Sequence, residues 1–233
     1  MKEISKYKIF KLKIRFIGIV LYIYFKILML ELKGDYDQKA ELVYDMSSRY
    51  AKALEEVVNI TFSVEGNLPT RDEVFIVASN HQSFLETIYY HKIMSSSIFI
   101  LKKSLLKIPF YGRILWRNSI AINRKNKIES LQKLITEGEE KLSKNLNIII
   151  YPQGTRVPYG ERGKYQKSAI WMSQKLGVRI LPISVNSGKL WGKYGKRYSG
   201  KVSIKIHEPI DVSKMNRNEA IIKLEEIIEG GIK

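Results

Sequence analysis

The sequence predicts an α/β protein in which helices flank a mostly parallel central sheet. From residue 60 onward, short apolar runs rich in β-branched residues alternate with stretches of helical periodicity. Such alternation is typical of parallel strands that helices cover on both faces. The 233 residues, 45% of them hydrophobic, suffice for one domain with a real core, and a pair of N-terminal helices precedes it.

The predicted elements follow one another without an internal repeat or a low-complexity linker. We predict strands over residues 74–78, 97–101, 119–122, 147–151, 179–185 and 202–206. We predict helices over residues 84–93, 127–143, 166–176 and 217–229. We therefore assign residues 59–233 to a single domain.

The N-terminal segment is expected to associate with a membrane surface. Six basic side chains lie within the first fifteen residues, and residues 16–30 then carry one charged side chain, Lys26. As a helix, residues 16–30 would rise roughly 22 Å, short of the roughly 30 Å hydrocarbon core. A spanning helix would also send the rest of the chain to the outside, because the basic N-terminus would stay in the cytoplasm. We expect the helix to lie in the cytoplasmic leaflet, the alternatives being a membrane span and a buried core helix.

A second helix is predicted over residues 38–58, where apolar side chains recur at helical spacing. This helix is amphipathic, so we expect the two N-terminal helices to pack together. We assign residues 1–58 to a membrane-associating helical unit. The protein is then peripheral or monotopic at the cytoplasmic face of the cell membrane.

Composition and charge narrow the classes of function. The formal charge of +17 predicts attraction to nucleic acid, a membrane surface or an acidic carrier protein. Residues 102–127 hold eight basic side chains and no acidic one. The absence of cysteine excludes disulfides, a cysteine nucleophile and thiolate metal sites, and we expect neither a metal nor a cofactor. A non-catalytic basic module that binds a membrane or nucleic acid is the remote alternative, and no groove-reading or base-stacking motif is found.

His81 is the first candidate for chemistry. It follows the predicted strand 74–78, at the edge where open α/β sheets place ligands. Glu86 comes five positions later, about 500° around an ideal helix, so the two side chains can meet only if His81 lies in the turn before the helix. Glu86 could then hydrogen bond to one ring nitrogen of His81 and orient the imidazole, while the other ring nitrogen takes a hydroxyl proton. The alternative is an exposed turn histidine beside a surface glutamate.

A second candidate segment follows the predicted strand 147–151. Gly154 permits close approach of the backbone to a ligand, and Thr155 and Arg156 supply a hydroxyl and a forked guanidinium suited to phosphate. The alternative is an ordinary turn with a surface arginine.

Further positive charge ends two other predicted strands, at Arg124 and at Lys102 or Lys103. Several strands that each end in a base or a phosphate-sized cation favour an anionic substrate at one edge of the sheet. His91 and His207 lack such neighbours and are expected to be structural or surface residues.

Four motifs in order resemble those of the glycerolipid acyltransferases typified by lysophosphatidic acid acyltransferase. They are Asn80-His81-x4-Glu86, Lys103–Gly112 leading to Ile122-Asn123-Arg124, Tyr151–Arg156 and Leu181–Gly188. The resemblance covers about residues 60 to 210 and implies a fold like that of glycerol-3-phosphate acyltransferase. Four ordered motifs are far more specific than any one alone.

The resemblance implies a reaction and roles for individual residues. His81 would draw the proton from the free hydroxyl of lysophosphatidic acid, which attacks the thioester of acyl-CoA or acyl carrier protein directly. Arg124, Arg156 and Lys103 would hold the acceptor's phosphate, and the product would be phosphatidic acid. Another lysolipid or glycerol phosphate is the alternative acceptor within the family.

Two positions depart from the family's pattern. Glu86 stands where the family has aspartate, so one more methylene must be accommodated beside His81. Gln153 stands where the third motif usually has glutamate, which keeps hydrogen bonding but removes a charge.

Overall fold

The computed structural model of the protein describes residues 1–33, 39–68, 73–94, 96–123 and 125–231. Within these residues the strands are β1 (Ile60–Glu65), β2 (Ile76–Ser79), β3 (Ser97–Lys102), β4 (Ser119–Ile122), β5 (Asn147–Ile150), β6 (Ile180–Val185) and β7 (Gly200–Ile206). They form one sheet in the order β1-β7-β6-β2-β5-β3-β4. Neighbouring strands pair in parallel, except that β6 and β7 are antiparallel. The prediction of a mostly parallel sheet is confirmed.

Helices connect the strands and precede them. They are α1 (Lys6–Leu32), α2 (Lys39–Val58), α3 (Leu85–Ile93), α4 (Tyr111–Arg117), α5 (Lys127–Ser143), α6 (Ser168–Leu176), α7 (Gly188–Trp191) and α8 (Arg217–Gly230), with a 3-10 helix at Lys103–Lys107. The elements predicted beyond residue 60 agree with the structure to within two residues at each end. Four elements are not predicted from the sequence: β1, the 3-10 helix, α4 and α7.

Both faces of the sheet are covered. Successive side chains of a strand point to opposite faces, so Ile76 and Val77 of β2 lie in two different hydrophobic clusters. The cluster around Val77 receives side chains from α1, α2 and α3. The cluster around Ile76 receives side chains from α5, α6 and α8. The central strands are therefore buried on both sides, which explains why their sequences are continuously apolar.

Helix α1 is longer than predicted. It begins ten residues before Phe16, at Lys6, because the side chain of Ser5 caps it by accepting a hydrogen bond from the backbone N–H of Lys8 at 3.4 Å. Four of its side chains, spaced along one face, are buried: Leu12, Val20, Ile23 and Ile27. The lysines of the first turns therefore belong to an amphipathic helix.

The N-terminal helices pack against each other and onto the sheet domain. Arg15 of α1 forms an ion pair with Glu56 of α2, as expected for packed neighbours. The backbone N–H of Ile4 donates to the carbonyl of Arg197 at 2.8 Å, which attaches the start of the chain to the segment before β7. No helix in the described ranges is both long and apolar enough to cross a membrane. Treating residues 1–58 as a separate unit stays a prediction.

Candidate active site

The turn that carries His81 is held by the residue before it. The side chain of Asn80 is fully buried, and its Nδ2 donates to the carbonyl of Val185 at 2.7 Å. In return the backbone N–H of Val185 donates to Oδ1 of Asn80 at 2.8 Å. This pair of hydrogen bonds ties the end of β2 to the end of β6. It fixes the position from which His81 projects.

His81 and Glu86 meet. His81 lies in the turn before α3, and its Nδ1 is 2.9 Å from Oε1 of Glu86. The side chain of His81 is 20% exposed, whereas that of Glu86 has no exposure. Within the described part of the chain, Nε2 of His81 has no hydrogen-bond partner. The ring is thus oriented from one nitrogen and free to accept a proton at the other.

The Glu86 carboxylate forms four hydrogen bonds, one of them with His81. Oε1 also accepts hydrogen bonds from the backbone N–H groups of Gln82 at 2.9 Å and Ser83 at 2.7 Å, and Oε2 accepts from the hydroxyl of Ser187. Burial alone would raise the pKa of Glu86, but the hydrogen bonds from His81, Ser187 and Ser83 outweigh it and lower the pKa. The buried carboxyl is therefore charged, and its extra methylene does not prevent contact with His81.

An aromatic ring supports the imidazole. The rings of His81 and Tyr151 stack with centroids 4.0 Å apart and planes 14° apart. The hydroxyl of Tyr151 is hydrogen bonded to that of Thr87 at 2.9 Å. Burial, followed by the charge of Glu86, raises the pKa of Tyr151, so its hydroxyl stays neutral. The sequence analysis assigns no role to Tyr151, because no spacing rule relates it to His81.

Gln153 contacts the backbone of His81. Its Oε1 accepts from the N–H of His81 at 2.8 Å, and its Nε2 donates to Oε1 of Glu229 at 3.3 Å. The same oxygen of Glu229 accepts from the hydroxyl of Tyr165 at 2.7 Å. A glutamate at position 153 would place two carboxylates side by side. An amide suits this position because it can donate a hydrogen bond to the carboxylate of Glu229.

A cavity of about 600 Å³ opens beside His81. Most of its wall is apolar and comes from α2, α3, α4, α5 and the strands between them, with side chains such as Met46, Phe84, Ile88, Leu101, Ile114 and Leu134. Gly154, Thr155 and Arg156 contribute polar groups to the same lining. His81 thus borders a space that suits a hydrocarbon chain joined to a polar group.

The predicted phosphate-binding residues differ in whether they line the cavity. Gly154 has φ +66°, in the left-handed region, and its N–H donates to the carbonyl of Tyr151 at 2.9 Å. Thr155 and Arg156 follow, exposed, along the cavity. Lys103 is exposed on the 3-10 helix and is not among the cavity-lining residues, whereas Lys102 is. Arg124 lies outside the described residues.

Residues 59–186 match the model of the family described as Acyltransferase, which covers more than half of the chain. The chain belongs to the acyltransferase family. It is 34% identical over 163 residues to a 1-acyl-sn-glycerol-3-phosphate acyltransferase of Pseudomonas aeruginosa, over 68% of this chain and 63% of that protein. It is 31% identical over 174 residues to the chloroplastic 1-acyl-sn-glycerol-3-phosphate acyltransferase LPAT1 of Arabidopsis thaliana, over 72% and 49%.

A solved structure is similar over nearly the whole chain. The crystal structure of the 1-acyl-sn-glycerophosphate (LPA) acyltransferase from Thermotoga maritima has 27% sequence identity and a TM-score of 0.69. The similarity covers 94% of this chain and 95% of the Thermotoga chain. The chain spans less than two thirds of the length of the two curated relatives above.

Two further cations, which are not predicted as site residues from the sequence, lie at the cavity or near Arg156. Lys193 lines the cavity. The Arg197 guanidinium lies 5.3 Å from the ring centroid of Trp191, and burial followed by the charge of Arg156 lowers its pKa. Both residues fall within residues 189–205, which hold six basic side chains and no acidic one. That stretch indicates positive charge but not which side chains reach the cavity.

Proposed function

We propose that the protein is a 1-acyl-sn-glycerol-3-phosphate acyltransferase. It would move a fatty acyl group from acyl-CoA or acyl carrier protein to the free hydroxyl of lysophosphatidic acid, giving phosphatidic acid. One observation carries the proposal: His81, oriented by the buried Glu86, borders an apolar cavity whose lining also holds Gly154, Thr155 and Arg156. A base, a space for a hydrocarbon and donors for phosphate are what this reaction needs.

In the proposed reaction His81 acts as general base. Its Nε2 takes the proton of the acceptor hydroxyl as the oxygen attacks the thioester carbonyl carbon, and Glu86 stabilises the imidazolium that forms. The carbon–sulfur bond then breaks, and the proton passes from His81 to the departing thiolate. No group of the protein becomes acylated. Much of the acceleration would come from holding both substrates in position.

The acceptor's phosphate is proposed to bind at Arg156 and Thr155, beside the left-handed turn at Gly154. A guanidinium can form two parallel hydrogen bonds with a phosphate, and a glycine lets the backbone approach it closely. Arg124 and Lys103 stay predicted phosphate ligands, and the cavity-lining Lys102 is a further candidate. We propose that the apolar part of the cavity receives an acyl chain.

We also propose that α1 docks on the cytoplasmic surface of the membrane. One face of the helix exposes a row of large apolar side chains at intervals of three, four or eight residues: Tyr7, Phe10, Ile14, Ile17, Phe25, Met29 and Leu32. Lysines of the first turns border this row and suit anionic headgroups. Such a position would let a lipid acceptor reach the cavity without crossing water.

An assay with purified protein in detergent tests the proposed function. Acyl-CoA and acyl carrier protein thioesters are each offered with lysophosphatidic acid, a neutral lysolipid and glycerol phosphate. We expect transfer to lysophosphatidic acid, and transfer about 10²- to 10⁴-fold slower by folded His81→Ala protein. Faster transfer to the neutral lysolipid would contradict the assigned acceptor, and transfer to none of the acceptors would contradict the function.

A further inference from the structure

His91 lies in the wall of the apolar cavity. Four side chains on one face of α3 or at its start line the cavity: Phe84, Thr87, Ile88 and His91. Their spacing of three or four residues means that the cavity follows the helix. His91 lies about 10 Å further along the helix axis than Phe84. It therefore sits away from the end where α3 meets the catalytic turn.

The imidazole of His91 is buried without a hydrogen bond. The residue is 7% exposed, and the edge of its ring meets Phe99 with centroids 4.8 Å apart. In the part of the chain that the structure describes, neither ring nitrogen has a hydrogen-bond partner. By contrast, the Thr87 hydroxyl is bonded to Tyr151. The ring nitrogens are not among the fully buried unpaired atoms, so they keep some accessible surface, and a group bound in the cavity that His91 lines could hydrogen bond to them.

The charge of His91 indicates the kind of partner. Burial lowers the pKa of His91 to about 4, so the ring is neutral at physiological pH. A neutral imidazole offers one N–H donor and one acceptor nitrogen. A hydroxyl group can satisfy either nitrogen, whereas a carboxylate or phosphate would have to be desolvated without an opposite charge.

We propose that His91 is a specificity-determining residue that favours acyl chains with a hydroxyl group part-way along their length. This inference rests on the proposed function, because it takes the cavity to hold an acyl chain. A hydroxyl moved from water into an apolar cavity loses its hydrogen bonds, and His91 restores one of them. The hydroxylated chain could belong to the thioester donor or to the lysolipid acceptor, since each carries one.

A binding experiment tests the inference without turnover. Purified full-length protein is loaded with a fluorescent fatty acid, which is displaced by octadecanoic acid or by a series of hydroxyoctadecanoic acids with the hydroxyl at successive carbons. We expect one position to bind about tenfold more tightly than octadecanoic acid, the effect of one hydrogen bond. A general effect of polarity would not depend on position. Equal binding of all isomers, or weaker binding of every hydroxylated one, would overturn the inference.

Variants distinguish the effect of the His91 imidazole on binding from the effect of the cavity's shape. His91→Leu replaces the imidazole with an apolar side chain of similar size and should abolish the positional preference. His91→Gln should retain part of it. Ile88→Val, on the same face of α3, should keep the preferred position. A preference that survives in folded His91→Leu protein would assign it to another group and overturn the inference.

Transfer assays then identify which chain occupies the cavity. One arm offers a hydroxyacyl donor with an ordinary lysophosphatidic acid, and the other offers an ordinary donor with a hydroxyacyl lysophosphatidic acid. kcat/KM should rise about tenfold in one arm and fall with His91→Leu. Transfer of ordinary chains without a preference in either arm would overturn the inference and leave the proposed function standing. Absence of all transfer would overturn the proposed function, while the binding series still decides the role of His91.

Discussion

Nδ1 of His81 lies 2.9 Å from Oε1 of Glu86, a carboxylate with no exposed surface. The same oxygen accepts two backbone N–H groups, so it cannot turn away from the imidazole without losing them. Glu86 thus connects the turn before α3, the start of the helix and Ser187 after β6. The orientation of the ring is set by the fold, not by a flexible surface side chain.

Two substitutions of Glu86 distinguish the contribution of its charge to turnover from the contribution of its side-chain length. Glu86→Gln should lower kcat about tenfold or more, because an amide can hold the ring but cannot stabilise an imidazolium by charge. Glu86→Asp should retain more activity than Glu86→Gln, since it keeps the charge and gives up one methylene. Steady-state kinetics on folded protein measure the order. Activity of Glu86→Gln equal to that of the parent would remove the carboxylate from the mechanism.

His81→Ala should lower kcat by about 10²- to 10⁴-fold, the usual loss on removal of a general base. The side chain is partly exposed at the cavity, so thermal unfolding should change little. His207 offers a matched control, because its imidazole is hydrogen bonded to the Ser184 hydroxyl at 2.7 Å and does not line the cavity. His207→Gln should keep transfer, and near-normal turnover of His81→Ala would contradict the assignment.

Arg156→Ala should raise the KM for lysophosphatidic acid about tenfold or more while changing the KM for the acyl donor little. The expected loss is that of a charge-assisted hydrogen bond to phosphate, about 1.5 to 3 kcal/mol. Arg162 is an exposed arginine six positions later that does not line the cavity, so Arg162→Ala is the control. A rise confined to the donor KM would place Arg156 at the other substrate.

The exposed row on α1 predicts the effect of charge on membrane binding. Phe10 and Phe25 are 61% and 57% exposed, so replacing both by aspartate should leave the fold intact. Flotation with vesicles of anionic phospholipid should show a fall in bound protein of about tenfold or more, since a buried phenylalanine contributes about 1.5 to 3 kcal/mol.

Ile222 of α8, 55% exposed and on the opposite face of the sheet from α1, provides the control for this experiment. Ile222→Asp should bind the vesicles as the parent does. Equal loss of binding in both variants would argue that charge alone, and not docking of α1, governs association with the vesicles.

The sequence predicts much of this fold because its signals are local. Continuous apolar runs identify the buried strands, and His81 and Gly154 could be placed because each follows such a run. The choice between Lys102 and Lys103 was open, since β3 ends at Lys102 and the next residue enters the 3-10 helix. A shift of one residue there changes the direction of a side chain.

Contacts between distant segments could not be predicted. Ser187 reaches Glu86 from 101 positions away, and Glu229 reaches Gln153 from 76 positions away. Neither contact can be recognised from periodicity or spacing in the sequence. Each contact forms only when distant elements such as β2, β5 and α8 have assembled. The pairing of His81 with Glu86 could therefore be predicted from the sequence, whereas most of the contacts that hold the pair could not.

The contact between Gln153 and Glu229 supports the last prediction. Gln153 is 8% exposed, so Gln153→Glu would bring a second carboxylate into a mostly buried site beside Glu229. Repulsion raises the pKa of such a pair in the folded protein relative to the unfolded chain. The loss of stability should then be present at neutral pH and disappear as pH falls and the pair binds a proton. Thermal unfolding at neutral and mildly acidic pH measures this difference.

The double variant Gln153→Glu with Glu229→Gln should recover stability at neutral pH, because the amide and the carboxylate are exchanged and one donor again faces one acceptor. In a double-mutant cycle the two substitutions should therefore be strongly non-additive. Turnover should follow stability, since the acceptor oxygen at position 153 holds the backbone N–H of His81 in both the parent and the double variant. Additive losses, or a Gln153→Glu variant as stable and active as the parent at neutral pH, would mean that Glu229 does not determine which residue position 153 accepts.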